Sequence, residues 1–142
     1  MANLCRINWS LMKHHLLHES ASLMLEYDVV ADYIYAVWAR YHAPATIEAG
    51  YELILNYLER ERCHRLLDNH AAIHGYWADR ADWVSSDWYP RAQLAGLENY
   101  AVVYSADLLA RRSTEEVLLG ITGGAVAGFD DVATARRALL GS

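Results

Sequence analysis

The sequence predicts a single α/β layered domain built on a mixed β-sheet. Residues 22–38 hold two stretches of period-two hydrophobicity separated by a turn, the mark of a hairpin. A long amphipathic helical pattern follows, and beyond it short apolar runs alternate with helical segments to the end, as in a sheet with crossover connections. At 142 residues, with no repeat and no low-complexity linker, the chain is long enough to bury one core and shows no internal boundary.

Residues 1–13 are weakly patterned and read as a loose N-terminal arm, leaving 14–142 as the α/β domain. "SLMLEYD" sets Leu23, Leu25 and Tyr27 on one strand face. After a turn over Val29–Asp32, "YIYAVWARY" sets Tyr33, Tyr35 and Val37 on one face and Ile34, Ala36 and Trp38 on the other. Both faces are apolar, so this strand belongs inside the sheet. "APATIEAGYELILNYLERER" is a helix: Pro44 suits its first turn, Ala45 or Thr46 its start, and Glu48 its positive dipole end. Ile47, Tyr51, Ile54 and Leu58 recur at helical spacing as one core-facing stripe. "RLLDN" is a short buried strand, and a helix joining two strands in this way implies a right-handed crossover.

Residues 76–95 read as a helix bent or interrupted at Pro90 and stopped at Gly96. "NYAVVYS" is a further buried strand. Ser113 and Glu116 spell a capping box that opens a short helix, "TEEVLLG". A glycine-rich turn leads into the last strand, "AVAGF". Asp130 then caps a final helix whose Val132, Ala135 and Leu139 share a face and whose stop is Gly141. The element order is β-β-α-β-α-β-α-β-α.

Charge and composition exclude several classes. Twelve Lys and Arg against 18 Asp and Glu give a net charge of −6, and no basic stripe is present, which speaks against a nucleic-acid partner. No run of about 18 apolar residues occurs, so no membrane insertion is expected. The first residues lack the pattern of a signal sequence. Cys5 and Cys63 stand in no motif, and a cytoplasmic setting with free thiols fits them.

Chemistry, if any, concentrates in "LLDNHAAIHGYWADRADWVSSDWYPRAQLAG", residues 66–96. His70 and His74 have the i, i+4 spacing of a helical metal pair, with Asp68 or Asp79 as a third ligand. Gly75 follows, however, no HExxH glutamate accompanies them, and two loop histidines do not specify a metal. They read as solvated, with no metal and no cofactor expected. Asp68, Asp79, Asp82 and Asp87 bring four carboxylates to one region, but with no positioned nucleophile or base they read as helix-start and surface acids. "GITGGAVAG" is neither a P-loop nor a dinucleotide fingerprint, and no GxSxG elbow occurs. No catalytic residue is assigned.

The aromatics remain. Trp83 and Trp88 are five apart, about 140° around an α-helix, so one packs on the sheet and the other is left near an edge with Tyr89 beside it. Arg91 presents a planar fork to a carboxylate, Asp87 or Asp68. Two readings stand: a Trp–Arg cluster anchoring a bent helix, or a binding edge formed by Asp68, Asn69, Trp83, Trp88, Tyr89 and Arg91.

Taken in order, "VWARY", the helix, "RLLDN", the W-x(4)-W-x-PR arrangement of Trp83, Trp88, Pro90 and Arg91, "AVVYSADLLARRS" and "FDDVATARRAL" resemble bacterial STAS-like proteins, small domains similar to anti-sigma-factor antagonists. The resemblance covers roughly residues 14–140. It implies a four- or five-stranded sheet with helices mainly on one face; the function expected first is a non-enzymatic binding or regulatory role acting through protein–protein contacts at the aromatic surface near Trp83–Tyr89. In signalling domains of this kind a phosphorylatable serine follows the third core strand. Here "LLDN" runs into "HAAIHGYWADRADW" with no serine at that entry, and Ser85 and Ser86 fall a turn or two later. An aromatic edge, and sheet edges "HLLHES" and "AVAGF" without an obvious charged guard, lead us to expect a homodimer. Two alternatives remain: a small-molecule carrier or sensor with an apolar pocket between the 76–95 helix and the sheet, gated by Trp88, and a metal-dependent enzyme using His70 and His74.

Overall fold

The sheet grows from a turn that the sequence specifies chemically. The Asp28 carboxylate accepts the N–H groups of Val30 and Ala31 at 3.0 and 2.8 Å, and Asp32 takes a left-handed backbone with φ 59°. This turn joins β2 (Leu23–Asp28) to β3 (Tyr33–Trp38) in an antiparallel pair that sets Leu25 against Ala36 and Tyr27 against Ile34. The computed structural model describes residues 14–141; the expected N-terminal arm and Cys5 lie outside the described residues.

A further strand, β1 (His14–Glu19), precedes the hairpin and pairs antiparallel with β2. The sheet therefore has six strands, in the order β1-β2-β3-β4-β5-β6, rather than four or five. This strand is the "HLLHES" sheet edge expected from the sequence, left out of the element order because its alternation is broken. The register shifts between Leu16 and His18, so Leu17 turns to the core while Leu16 stays 58% exposed. β4 (Arg65–Asn69), β5 (Asn99–Val103) and β6 (Ala125–Phe129) continue the sheet parallel to β3, and β1 and β6 are its edges.

Each parallel connection steps to the next strand in the same direction, so right-handed crossovers place their helices on one face. α1 (Pro44–Glu61) buries Ile47, Tyr51, Ile54 and Leu58, the stripe its spacing predicts, and ends where Arg62 turns left-handed. α2, over residues 78–94, is composite: a 3₁₀ turn (Ala78–Arg80), an α turn (Ala81–Trp83), a π turn (Val84–Trp88) and a regular stretch (Tyr89–Leu94). Within it the Tyr89 N–H reaches back five residues to the Val84 carbonyl. Pro90, which has no N–H to give, sits just past that widened turn, so the helix continues with a bulge instead of breaking. α3 (Leu108–Gly120) completes this layer. α4 (Val132–Leu140) follows the last strand, is not a crossover, and packs Ala135 and Leu139 on the opposite face against Leu67, Ala101 and Val103.

Two caps differ from the sequence reading. α3 starts at Leu108, capped by Asp107, whose carboxylate accepts the Ala110 N–H. Ser113 is an interior residue there: its hydroxyl donates to the Leu109 carbonyl and accepts the Trp77 N–H. The apparent capping box loses to a stronger cap six residues upstream. α4 is capped by Asp131, which accepts the Thr134 N–H at 2.7 Å, while Asp130 takes the Arg111 guanidinium.

Gly50 marks the closest approach of α1 to the sheet, since a Cβ there would overlap the six-membered ring of Trp38. Alanine is the better helix former by about 1 kcal/mol, but neither the buried indole nor the helix has room to move. Gly50→Ala is therefore expected to destabilise the fold by about 1–3 kcal/mol in urea titrations, the opposite sign to that of an exposed helix glycine.

Candidate functional site

The alternation of β4 turns Leu66 and Asp68 toward α1–α3, and Leu67 and Asn69 toward α4. Asp68 thus enters the main core and is 0% exposed. A carboxylate so placed must have its lone pairs met by donors. Trp38 Nε1 donates to Oδ1 at 2.7 Å; the Tyr51 and Tyr100 hydroxyls donate to Oδ2 at 2.8 and 2.6 Å; His70 Nε2 lies 3.0 Å from the same oxygen. The other His70 nitrogen, Nδ1, meets the Thr114 hydroxyl at 2.8 Å. One carboxylate therefore ties together β3, β4, β5 and α1, and through His70 also α3.

Burial alone would push the Asp68 carboxyl up. The His70 ring beside it and the hydrogen bonds from His70, Tyr100 and Trp38 outweigh that, and hold it below the usual aspartate value. Tyr51 and Tyr100 move the other way: burial, then the Asp68 charge, holds both phenols well above the ordinary value, so they remain donors. Cys63, a buried free thiol, is pushed up to about 11 by burial.

The histidine reading changes accordingly. His70 is 1% exposed rather than solvated, because the period-two run of Leu66 and Asp68 extends one step past the strand end. His74 does not join it. Its partners are the Asp107 carboxylate at 3.9 Å and the Tyr41 ring at 6.3 Å. Among the described residues no group of three His, Cys, Asp or Glu side chains is arranged to hold a metal ion. Of the four acids of this region, Asp68 alone is buried; Asp79, Asp82 and Asp87 face outward along α2.

The expected binding edge is also rearranged. Trp88 is 0% exposed and Tyr89 is 2% exposed. The Trp88 indole donates to the Tyr51 carbonyl at 2.6 Å and lies between the rings of Tyr51 and Tyr100; Tyr89 stacks on Tyr100 at 6.1 Å. The 140° separation assumed a regular α-helix. The π turn widens the winding between Trp83 and Trp88, so the later tryptophan swings under the helix. Trp83 is half-buried beneath the Arg91 guanidinium, 5.9 Å from its ring centre. Arg91 grips Glu52 through both terminal nitrogens and Asp87 as well, but not Asp68. Asn69 serves the opposite face, donating to the Tyr35 hydroxyl and accepting the Ala71 N–H. The space between α2 and the sheet, where an apolar pocket was expected, is filled by Val84, Trp88 and Ala92.

Three of the exposed large apolar side chains follow the carboxyl ends of β3, β4 and β5 in the chain. Tyr41 is 70% exposed, Tyr76 58% and Leu108 79%. The Arg40 guanidinium lies over the Tyr41 ring at 5.3 Å, and the Arg40 carbonyl accepts the His74 N–H. Asp107 accepts the Gly75 N–H at 2.9 Å while capping α3, and these backbone bonds hold its carboxyl below the usual value. The loops of this rim are thus pinned to one another and to the Asp68–His70 pair beneath. No family model, curated protein or solved structure matches this chain.

Because the folded-state pKa of Asp68 is depressed, its stabilisation is present above the unfolded aspartate value, about 3.9, and is lost as pH falls through and below it. Asp68→Asn is expected to cost about 3 kcal/mol at neutral pH and to flatten the fall in stability between about pH 5 and pH 2, read from urea midpoints across that range. Trp88→Ala is expected to destabilise the monomer by about 3–5 kcal/mol, comparably to Trp38→Ala; a melt close to wild type would show that Trp88 is not a core residue.

Proposed function

We infer that this chain is a non-enzymatic binding domain that recognises a protein partner with the rim formed by Tyr41, Tyr76 and Leu108. The observation that carries this reading is the contrast between two layers at the same end of the sheet. The groups a catalyst would use, Asp68 and His70, are sealed at 0% and 1% exposure, and their hydrogen bonds are taken by side chains of the fold. At the same end of the sheet, Tyr41 and Tyr76 stand exposed on the loops after β3 and β4, and Leu108 at the start of α3. Rigid aromatic side chains at an exposed rim favour protein contacts, because little side-chain freedom is lost when they are covered.

The STAS-like resemblance supports the same place, since in signalling domains of that kind the control position follows this strand. Residues 70–77 contain no serine, so phosphoserine control is not part of the reading. A second copy of the chain is one partner that the fold accommodates: β1 and β6 both end the sheet, and β6, "AVAGF", has no charged side chain to guard its edge.

The test is quantitative affinity capture from the source cell with three baits: wild type, a Tyr41→Ser/Tyr76→Ser/Leu108→Ser variant, and Leu94→Ser, a control residue that is 90% exposed. A specific protein, or an untagged copy of the chain, should be retained by wild type and Leu94→Ser and lost by the rim variant. Identical capture by all three baits would end the proposal, as would a substrate turnover that Asp68→Asn abolishes without unfolding the protein.

A further inference from the structure

The outer side of α3 is bare among the described residues. Ala110, Ser113, Thr114 and Val117 are its buried residues and define the side turned to the core. At about 100° per residue, the side directly opposite holds Leu108, Arg112, Glu115 and Leu119. Leu119 is 80% exposed, as fully as Leu108, and the Arg112 side chain is 69% exposed. The four follow one another at steps of four, three and four residues, the spacing of a seam between two paired helices. The stripe runs for about 17 Å along the helix.

We propose that a second copy of the chain covers this stripe, with the two α3 helices antiparallel about a two-fold axis. The charge pattern names the occupant. "LLARRSTEEVLL", residues 108–119, runs from leucines through arginines and glutamates to leucines, and its midpoint falls between Ser113 and Thr114. Leu108 and Leu119 are equally far from that midpoint, and so are Arg112 and Glu115. A two-fold axis through it sets Leu108 against the partner's Leu119 and Arg112 against the partner's Glu115, and each contact occurs twice. A parallel pairing would set arginine on arginine and glutamate on glutamate, so the charges select the antiparallel one. Within one chain Arg111 is taken by Asp130, while Arg112 meets Glu116 through Nε at 3.4 Å, which leaves its terminal nitrogens to reach across. Grooves flank the ridge, one lined by Tyr104 and Leu118 and the other by Ala81, Asp82 and Ser85, and offer seats for the partner's leucines. A seam of this length is small, so association is expected to be weak and concentration-dependent. The inference goes beyond the partner-binding rim, with which it shares Leu108.

Sedimentation velocity over a wide concentration range tests the pairing. Wild type is expected to pass from monomer to dimer as concentration rises. Arg112→Glu and Glu115→Arg should each weaken the dimer about tenfold, since each sets like charges across the axis twice. The double variant Arg112→Glu/Glu115→Arg should restore it. The pairs within one helix, Arg112 with Glu116 and Arg111 with Glu115, are broken in the single variants and stay broken in the double, so recovery reports contact between chains and not helix stability. An equimolar mixture of the two single variants should form a mixed dimer at concentrations where neither associates alone. Leu119→Asp should leave a monomer with an unchanged melting temperature, because that side chain is largely exposed. A wild type that stays monomeric at millimolar concentration would overturn the proposal. So would a double variant as weak as the single ones, or a dimer that neither charge reversal weakens, which would place the contact at a sheet edge. These variants leave Tyr41, Tyr76 and Leu108 unaltered, so capture of a partner by the rim stands or falls separately.

Discussion

The rest of the structure depends on one carboxylate. Removing Asp68 from water costs several kcal/mol, and a lone buried charge at this position would not survive. It is offset by the three donors that converge on its two oxygens, from Trp38, Tyr51 and Tyr100, and by the His70 ring 3.0 Å from one of them. Each of these partners comes from a different part of the chain, so the group is satisfied only when β3, α1, β5 and the segment after β4 are all in place. The converse also holds: a displaced element leaves a buried donor or acceptor unmet, at about 1–3 kcal/mol for each. An interaction of this kind selects one arrangement of the layers more than it adds net stability.

That constraint organises the aromatic layer. Trp38 has to lie flat enough under α1 to reach Asp68, and Gly50 is the residue that leaves it room. Trp88 fills the remaining space between α1 and β5, and its indole N–H satisfies a carbonyl of α1. The π turn in α2 makes this possible by turning Trp88 inward ahead of Pro90. His70 then carries the order outward to Thr114 on α3, and the loops above it are fixed by Asp107 and by the Arg40 carbonyl. The backbone of the loops above Asp68 and His70 is thus fixed by hydrogen bonds to the structure beneath it.

Surface charge plays a smaller part. The Arg91–Glu52–Asp87 cluster and the Arg111–Asp130 pair are all substantially exposed and fix helix positions more than they stabilise the fold. Among the described residues no helix is long and apolar enough to cross a membrane.

The sequence by itself determined the α/β class, the bounds of "RLLDN" and "AVAGF", the core stripe of α1 and the left-handed stop at Gly141, because each rests on local periodicity or backbone chemistry. "HLLHES" was legible as a sheet edge and is β1, although a bulge breaks its alternation and the element order omits it; the caps of α3 and α4 moved because a nearby aspartate won each competition. Of the six residues singled out, Asp68 proved central in a different way from that expected, since nothing local to "LLDN" names Trp38, Tyr51 and Tyr100 as its partners across 30, 17 and 32 residues. For Trp88 and Tyr89 the geometry of a regular helix left both a helix anchor and a binding edge open, and only packing against the sheet and α1 fixes the widened turn that buries them. Local rules choose the elements; which donor reaches a buried charge, and which side of a helix faces inward, are settled when the layers meet, because only then does burial make an unmet polar group or an empty space costly.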